Sequence, residues 1–209
     1  MTQQRAGAQA APEAQAPPPP VAAAPPQVVY VIFDAEISQM TTEALLATMA
    51  QCANNNVRSV CLAISTSGGD VTQGIVLYNA LRAMPFELVT HNIGNVDSIG
   101  NAIFLAGSRR YAAPHSTFMF HGVTWNLAQQ TSLTDKQVLE IRDSIEREHV
   151  RIGKIIEERT QIAAADIPEL FREAVTKHAA DAIDVGIVHE IRDFEIPQGC
   201  PVVSLTFKR

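Results

Sequence analysis

Three short segments of this chain carry residues suited to acyl transfer, in which a hydroxyl attacks a carbonyl carbon. Residues 94–100 read GNVDSIG and set Ser98 between a strand pattern that stops at Gly94 and an apolar helix pattern over 98–106. A strand–turn–helix junction exposes a hydroxyl where unpaired backbone N–H groups and the helix dipole favour negative charge. An acyl-transfer nucleophile needs that setting, an accessible oxygen beside donors aimed at the developing oxyanion. A helix start is also an ordinary place for a capping serine. Ser98 alone therefore fixes nothing.

The second segment, STSGGD at 65–70, closes another strand pattern. Its two glycines permit positive φ and a close backbone approach, so their N–H groups suit an oxyanion hole or a β-edge for an extended peptide. They equally suit a tight turn. The third is His121 in FMFHG. Histidine titrates near neutrality and serves as a general base. Of the six histidines, His91 falls mid-strand and His115 follows a proline; His121 alone ends an apolar strand and precedes a glycine-containing loop. Ser98 follows Gly69 by 29 residues, and His121 follows Ser98 by 23. The order is more specific than any one segment.

The elements that must position these groups are legible from periodicity. Residues 28–33 (VVYVIF) and 58–64 (RSVCLAI) read as strands buried on both faces, and 87–93 as a third. Helix patterns cover 41–54 and 71–83, the latter ended before Pro85. Residues 117–120 form a further strand pattern, ending at His121. This alternation argues for an α/β domain with a mostly parallel sheet. The spacing of Val138, Ile141, Ile145, Ile152 and Ile156 predicts a helix over 135–159, opened by a capping box of Thr134 and Gln137. A helix of that length spans roughly 37 Å, so part of it should project and pack on another subunit. Residues 179–188 read as a short helix closed by Gly186 and a returning strand.

Composition bounds the rest. The 209 residues suffice for one domain with a sizeable core, and 46% hydrophobic with 18% charged residues is ordinary for a globular protein. A net charge of −6 argues against a nucleic-acid partner. Cys52, Cys61 and Cys200 show no paired spacing, so neither a disulfide framework nor a metal site is expected, nor any cofactor. No run of 18 apolar residues marks a membrane span, and no signal-peptide pattern opens the chain, so the cytoplasm is the expected compartment. Residues 1–26, of which seven are proline and most of the rest alanine or glutamine, are expected to form a disordered tail ahead of a domain over 27–209.

Taken in order, these residues resemble the ClpP family, the proteolytic subunit of the ATP-dependent caseinolytic protease, from about 28 to 191. The family's S-x-G-G-x-V-x-x-G is mirrored, with a one-residue slip, by Ser67, Gly68, Gly69, Val71 and Gly74. Its G-x-x-x-S-x-G is mirrored by Gly94, Ser98 and Gly100. Ala106-Gly107, the turn at Pro114 and Ser116, His121 at a strand end, and the A-x-x-x-G-I-V segment at 182–188 complete the pattern. The resemblance implies Ser98 as nucleophile, His121 as base and the Gly69 and Ile99 N–H groups as oxyanion hole. It implies a ClpP/crotonase-like spiral of ββα units with a projecting handle helix, stacked heptameric rings of identical subunits, a peptide or unfolded-protein substrate and an AAA+ ATPase unfoldase.

Three positions depart from the family. Its third triad member, an aspartate, falls at Ala174, with Glu173 the adjacent carboxylate and hence the candidate for that role. The Ala/Pro tail stands where the family carries its axial loop. Asp97 precedes the serine where a small apolar residue is usual, and a carboxylate aimed at Ser98 would oppose an oxyanion. Two other readings stay open: a structural ring subunit of little activity, and a crotonase-fold enzyme acting on acyl-CoA. The latter needs a basic cleft; the nearest pair, Arg109 and Arg110, reads as a solvated turn.

Overall fold

The computed structural model describes residues 27–126, 132–205 and 207; the tail expected at 1–26 lies outside them. β1 (Val28–Asp34), β2 (Ser59–Thr66) and β3 (Glu87–Asp97) lie side by side in parallel. Parallel neighbours require a crossover, and α1 (Gln39–Asn54) and α2 (Val71–Ala83) supply it. β2 is buried on both faces from Val60 to Ile64, as its unbroken apolar run demands. β1 is not. Its Val29, Val31 and Phe33 are buried while Val28, Tyr30 and Ile32 are half-buried, which corrects the reading of β1 as covered on both sides. On the thinner face Tyr30 meets Phe194 edge-on, ring centroids 6.1 Å apart, and β8 (Val202–Leu205) runs parallel alongside.

β3 positions the site. It has 11 residues and runs through Gly94 instead of ending there, a second correction. Its pairing with β2 slips from Ile64↔Asn92 to Thr66↔Val96, so β3 takes four steps where β2 takes two. Asn92 holds this bulge: its Nδ2 donates to the Thr117 carbonyl at 2.8 Å and its Oδ1 accepts from the Gly94 N–H at 3.0 Å. A bulge adds twist and re-aims the chain beyond it. Before the bulge β3 pairs with β4 (Arg109–Ala112), and after it with β5 (Thr117–Met119). α3 (Gly100–Leu105) follows β3 and is wholly buried.

α4 (Asp135–Arg159) starts at Thr134 with both bonds of its capping box in place. Its buried residues are Ile152, Gly153, Ile155 and Ile156, all in the last two turns, whereas Val138, Leu139 and Val150 stand exposed on the earlier ones. α5 (Ile167–Arg172) leads into β6 (Thr176–His178), antiparallel to β5. α6 (Ala179–Asp184) and β7 (Glu190–Ile191), beside β4, complete the sheet, whose order is β6-β5-β3-β2-β1-β8 with β4 and β7 off that path. No helix among the described residues is long and apolar enough to cross a membrane.

Arg110 overturns its reading as part of a solvated turn. It lies in β4, 5% exposed. Its guanidinium donates to the carbonyls of Ile187 (2.7 Å), Gly107 (3.3 Å), Arg159 and Gly186 (both 2.9 Å). Arg159 adds bonds to the Leu105 and Gly107 carbonyls. Two cations thus tie the carboxyl ends of α3, α4 and α6 together through carbonyl dipoles. Arg109 is exposed and paired with Glu87 at 2.9 Å.

Candidate active site

The turn after β2 is built on two glycines that no other residue could replace without movement. Gly68 (φ +85°) and Gly69 (φ +143°) lie in backbone regions that side chains rarely adopt. The Ile37 N–H donates to the Gly68 carbonyl at 2.7 Å, and the Asp70 N–H donates to the Ile37 carbonyl at 2.9 Å. The Gly68 N–H is taken by Thr66 Oγ1 at 3.1 Å. Between these committed amides, the Gly69 N–H has no hydrogen-bond partner among the described residues.

Ser98 is one residue beyond β3. It does not cap α3 as the sequence suggests; Ile99 holds that position, and Ser98 takes a left-handed backbone at φ +56°. Such a conformation costs of order 1–3 kcal/mol and persists where its surroundings enforce it. Here the Ser98 N–H donates to the Met119 carbonyl at 2.8 Å, which ties the turn to β5. Asn101, 1% exposed, ties it again: its Nδ2 donates to the carbonyls of Ser98 (3.1 Å) and Met119 (2.8 Å). Asn101 is a positioning residue that the motif reading missed. The visible signal was an asparagine inside an otherwise apolar helix. The Ile99 N–H, like that of Gly69, has no partner among the described residues.

His121 arrives by register. Asp97 pairs with Met119, so continuing both strands brings Ser98 and His121 to the same end of the sheet. The flanking backbone is pinned on the β6 side, Phe120 N–H to the Val175 carbonyl (2.8 Å) and Gly122 N–H to the Phe171 carbonyl (2.9 Å). One residue further, the Val123 N–H donates to His149 Nε2 at 2.8 Å, and the His149 ring stacks on Phe171 with centroids 4.9 Å apart. Burial lowers the pKa of His149, with Glu146 opposing, so this second histidine is held neutral with Nε2 as acceptor. The half-buried His121 ring places Nδ1 2.7 Å from the Gly122 carbonyl oxygen.

Ser98, His121, Gly68 and Gly69 line one cavity of about 730 Å³, shared with Val71, Trp125, Ile145 and Glu148. Ile99, next in sequence, is buried at 1% and is not part of the lining. No hydrogen bond joins Ser98 Oγ to the imidazole among the described residues. Three carboxylates line the cavity: Glu148 meets Arg151 Nη1 through both oxygens at 2.8 Å, Asp70 accepts from the Gln73 N–H at 3.0 Å, and the exposed Glu36 makes no side-chain hydrogen bond among the described residues. Asp97 is outside the lining, its Oδ2 accepting from Asn95 Nδ2 at 2.6 Å. Glu173 is also outside; it is exposed and bound to Arg172 at 3.3 Å. The structure therefore brings Ser98, His121 and Gly69 together and leaves Glu173 apart.

A hydroxyl on a left-handed strand-to-helix turn, an imidazole lining the same cavity and nearby amides without a partner among the described residues, all on a mostly parallel sheet, are the features of a serine hydrolase of the α/β class. The chain belongs to the Clp protease family, a family of serine-type peptidases, whose profile matches residues 27–195. It is 27% identical over 164 residues to the ATP-dependent Clp protease proteolytic subunit 2 of Thermobifida fusca, covering 76% of this chain and 75% of that one. With subunit 2 of Prochlorococcus marinus (strain MIT 9312) it shares 28% identity over 117 residues, 53% of this chain and 58% of the relative. A point mutant of ClpP1 from Listeria monocytogenes superposes with a TM-score of 0.70 over 79% of this chain and 91% of its own, at 23% identity, and so has the same fold.

Proposed function

We propose that the chain is a ClpP-like endopeptidase subunit in which Ser98 is the nucleophile, His121 the general base, and the Gly69 and Ile99 N–H groups the oxyanion hole. The observation that carries this is the convergence of Ser98, His121 and Gly69 on one cavity, with the Gly69 and Ile99 amides left unpaired among the described residues. An extended peptide lies against the glycine turn with its carbonyl carbon over Ser98 Oγ. As the Oγ–C bond forms, His121 takes the hydroxyl proton and the carbonyl electrons move onto oxygen, where the amides receive them. The same proton then passes to the leaving amine, giving an acyl-enzyme that water hydrolyses by the reverse roles.

The exposed apolar residues on the early turns of α4 support assembly through that helix, in stacked rings of identical subunits. Unfolded protein delivered by an AAA+ ATPase is the natural substrate of such a chamber, and cytoplasm its compartment. An acyl-CoA reading loses its basic pair, since Arg110 is spent on carbonyls and Arg109 on Glu87.

The test is labelling by a fluorophosphonate probe together with casein and short-peptide hydrolysis. Wild type should label stoichiometrically and Ser98→Ala not at all, with hydrolysis falling by about 10³-fold or more. A wild type that neither labels nor hydrolyses in any assembly state would instead make this a structural ring subunit.

A further inference from the structure

A histidine works as a base toward serine only if Nε2 is bare and the ring is held, and a carboxylate on Nδ1–H ordinarily ensures both. Among the described residues no carboxylate is hydrogen-bonded to His121 Nδ1. Continuing the antiparallel pairing of Met119 with Thr176 brings Ala174 opposite His121, between the two backbone bonds to Val175 and Phe171. Glu173 turns outward to Arg172. What Nδ1 does meet is the Gly122 carbonyl, at 2.7 Å. A carbonyl oxygen can only accept, so this bond requires the proton on Nδ1 and leaves the lone pair on Nε2.

We infer that the Gly122 carbonyl replaces the third triad member, fixing the His121 tautomer and ring so that Ser98 and His121 act as a dyad. This rests on the peptidase reading above. The carbonyl is itself pinned, because its peptide neighbours donate to the Phe171 carbonyl and to His149 Nε2. When Nε2 accepts the Ser98 proton, the imidazolium keeps Nδ1–H on Gly122 and returns the Nε2 proton to the leaving amine. A neutral dipole stabilises that cation less than a carboxylate does, so geometry is retained and rate is lost. Ala174 also sits at φ +51°, a backbone that aspartate tolerates better than alanine. The site is therefore open to a carboxylate without refolding.

The test has two arms on the full chain. In the first, ¹⁵N magic-angle-spinning NMR of histidine-labelled protein, with His121 assigned by its loss in His121→Gln, reads the tautomer directly. Protonated Nδ1 with bare Nε2 is expected; protonated Nε2, or an average of both forms, overturns the inference. In the second, Ala174→Asp should raise kcat at least about tenfold with KM unchanged; an unchanged kcat overturns it. If the wild type fails to label with fluorophosphonate, the peptidase reading falls, while the NMR arm still judges the histidine's partner.

Discussion

Gly68 is packed so closely on Ser98 that a methyl group at its Cα would lie 2.6 Å from Ser98 Cβ and 2.9 Å from the Asp97 carbonyl oxygen. The turn after β2 is thus the wall against which the serine rests. Gly68→Ala must displace either the Asp97 carbonyl or the serine, in a backbone already at φ +85°. We expect a fold that persists and a probe-labelling rate that drops by about 10²-fold, the usual cost of misplacing a reacting group by an ångström. Unchanged labelling would mean that the wall is soft.

Asn101 holds the Ser98 and Met119 carbonyls from within α3. Asn101→Ala removes both bonds and takes a donor from two carbonyls, at a cost of about 1–3 kcal/mol in stability. Because it touches neither substrate nor reacting atoms, kcat should fall about tenfold or more while KM holds. Steady-state kinetics with a short fluorogenic peptide separates the two constants.

Arg110 is a buried cation with no carboxylate partner among the described residues, its pKa pulled down to about 10 chiefly by burial and then by Arg159. Carbonyl dipoles hold it, so Arg110→Met takes the side-chain donor from the Ile187, Arg159 and Gly186 carbonyls, while Gly107 keeps its bond from Arg159. The expected loss is about 3 kcal/mol or more, from about 1–3 kcal/mol for each buried acceptor left unsatisfied, read from urea midpoints. Arg110→Lys should recover little, since a single ammonium cannot reproduce the planar fork.

His91 gives the pH dependence of stability. It is 1% exposed, donates from Nε2 to the Arg192 carbonyl at 3.1 Å and lies edge-on to Phe194 and Tyr111. Burial above all lowers its pKa from 6.5 to about 4, against the pull of the Arg192 carbonyl, Asp193 and Glu190. The unfolded chain then binds the proton more readily than the folded one, so stability is full above about pH 6.5 and lost as pH falls toward 4. Melting temperatures from pH 8 to 4.5 should decline through that window, and less steeply in His91→Phe.

Glu173→Ala should leave hydrolysis within about twofold of wild type, as expected for an exposed surface carboxylate away from the cavity. A loss comparable to that of His121→Ala would mean that the assembled enzyme brings Glu173 inward.

What was legible in the sequence was local. β2 announced itself as an unbroken apolar run, and α4 through Thr134, Gln137 and a 3.6-residue stripe, because each signal lies within a few residues of what it specifies. Ser98 and His121 were legible as residue types at element ends. What escaped depends on distant partners. Arg110 looked solvated because the carbonyls that bury it lie up to 77 residues away. The end of β3 was misplaced because Gly94 reads as a stop, while Asn92 and Thr117 carry the strand onward from opposite sides of the bulge. The left-handed backbone of Ser98 is held partly by the nearby Asn101 and partly by Met119, 21 residues on, and the latter partner is invisible in the local sequence. Short β4, α5 and β8 lack enough periodicity to register.

The bulge in β3 makes the distance between the two reacting groups a matter of counting. Successive residues of a strand face opposite sides, so removing a single residue between Asn92 and Val96 would turn the Ser98 hydroxyl to the far side of the sheet. The loop from Ala113 to Ser116 has no such parity to keep. A change of length in the strand therefore keeps the serine on its side only in pairs, whereas in the loop the constraint is local, the buried Ser116 held to the Ala113 carbonyl at 2.8 Å.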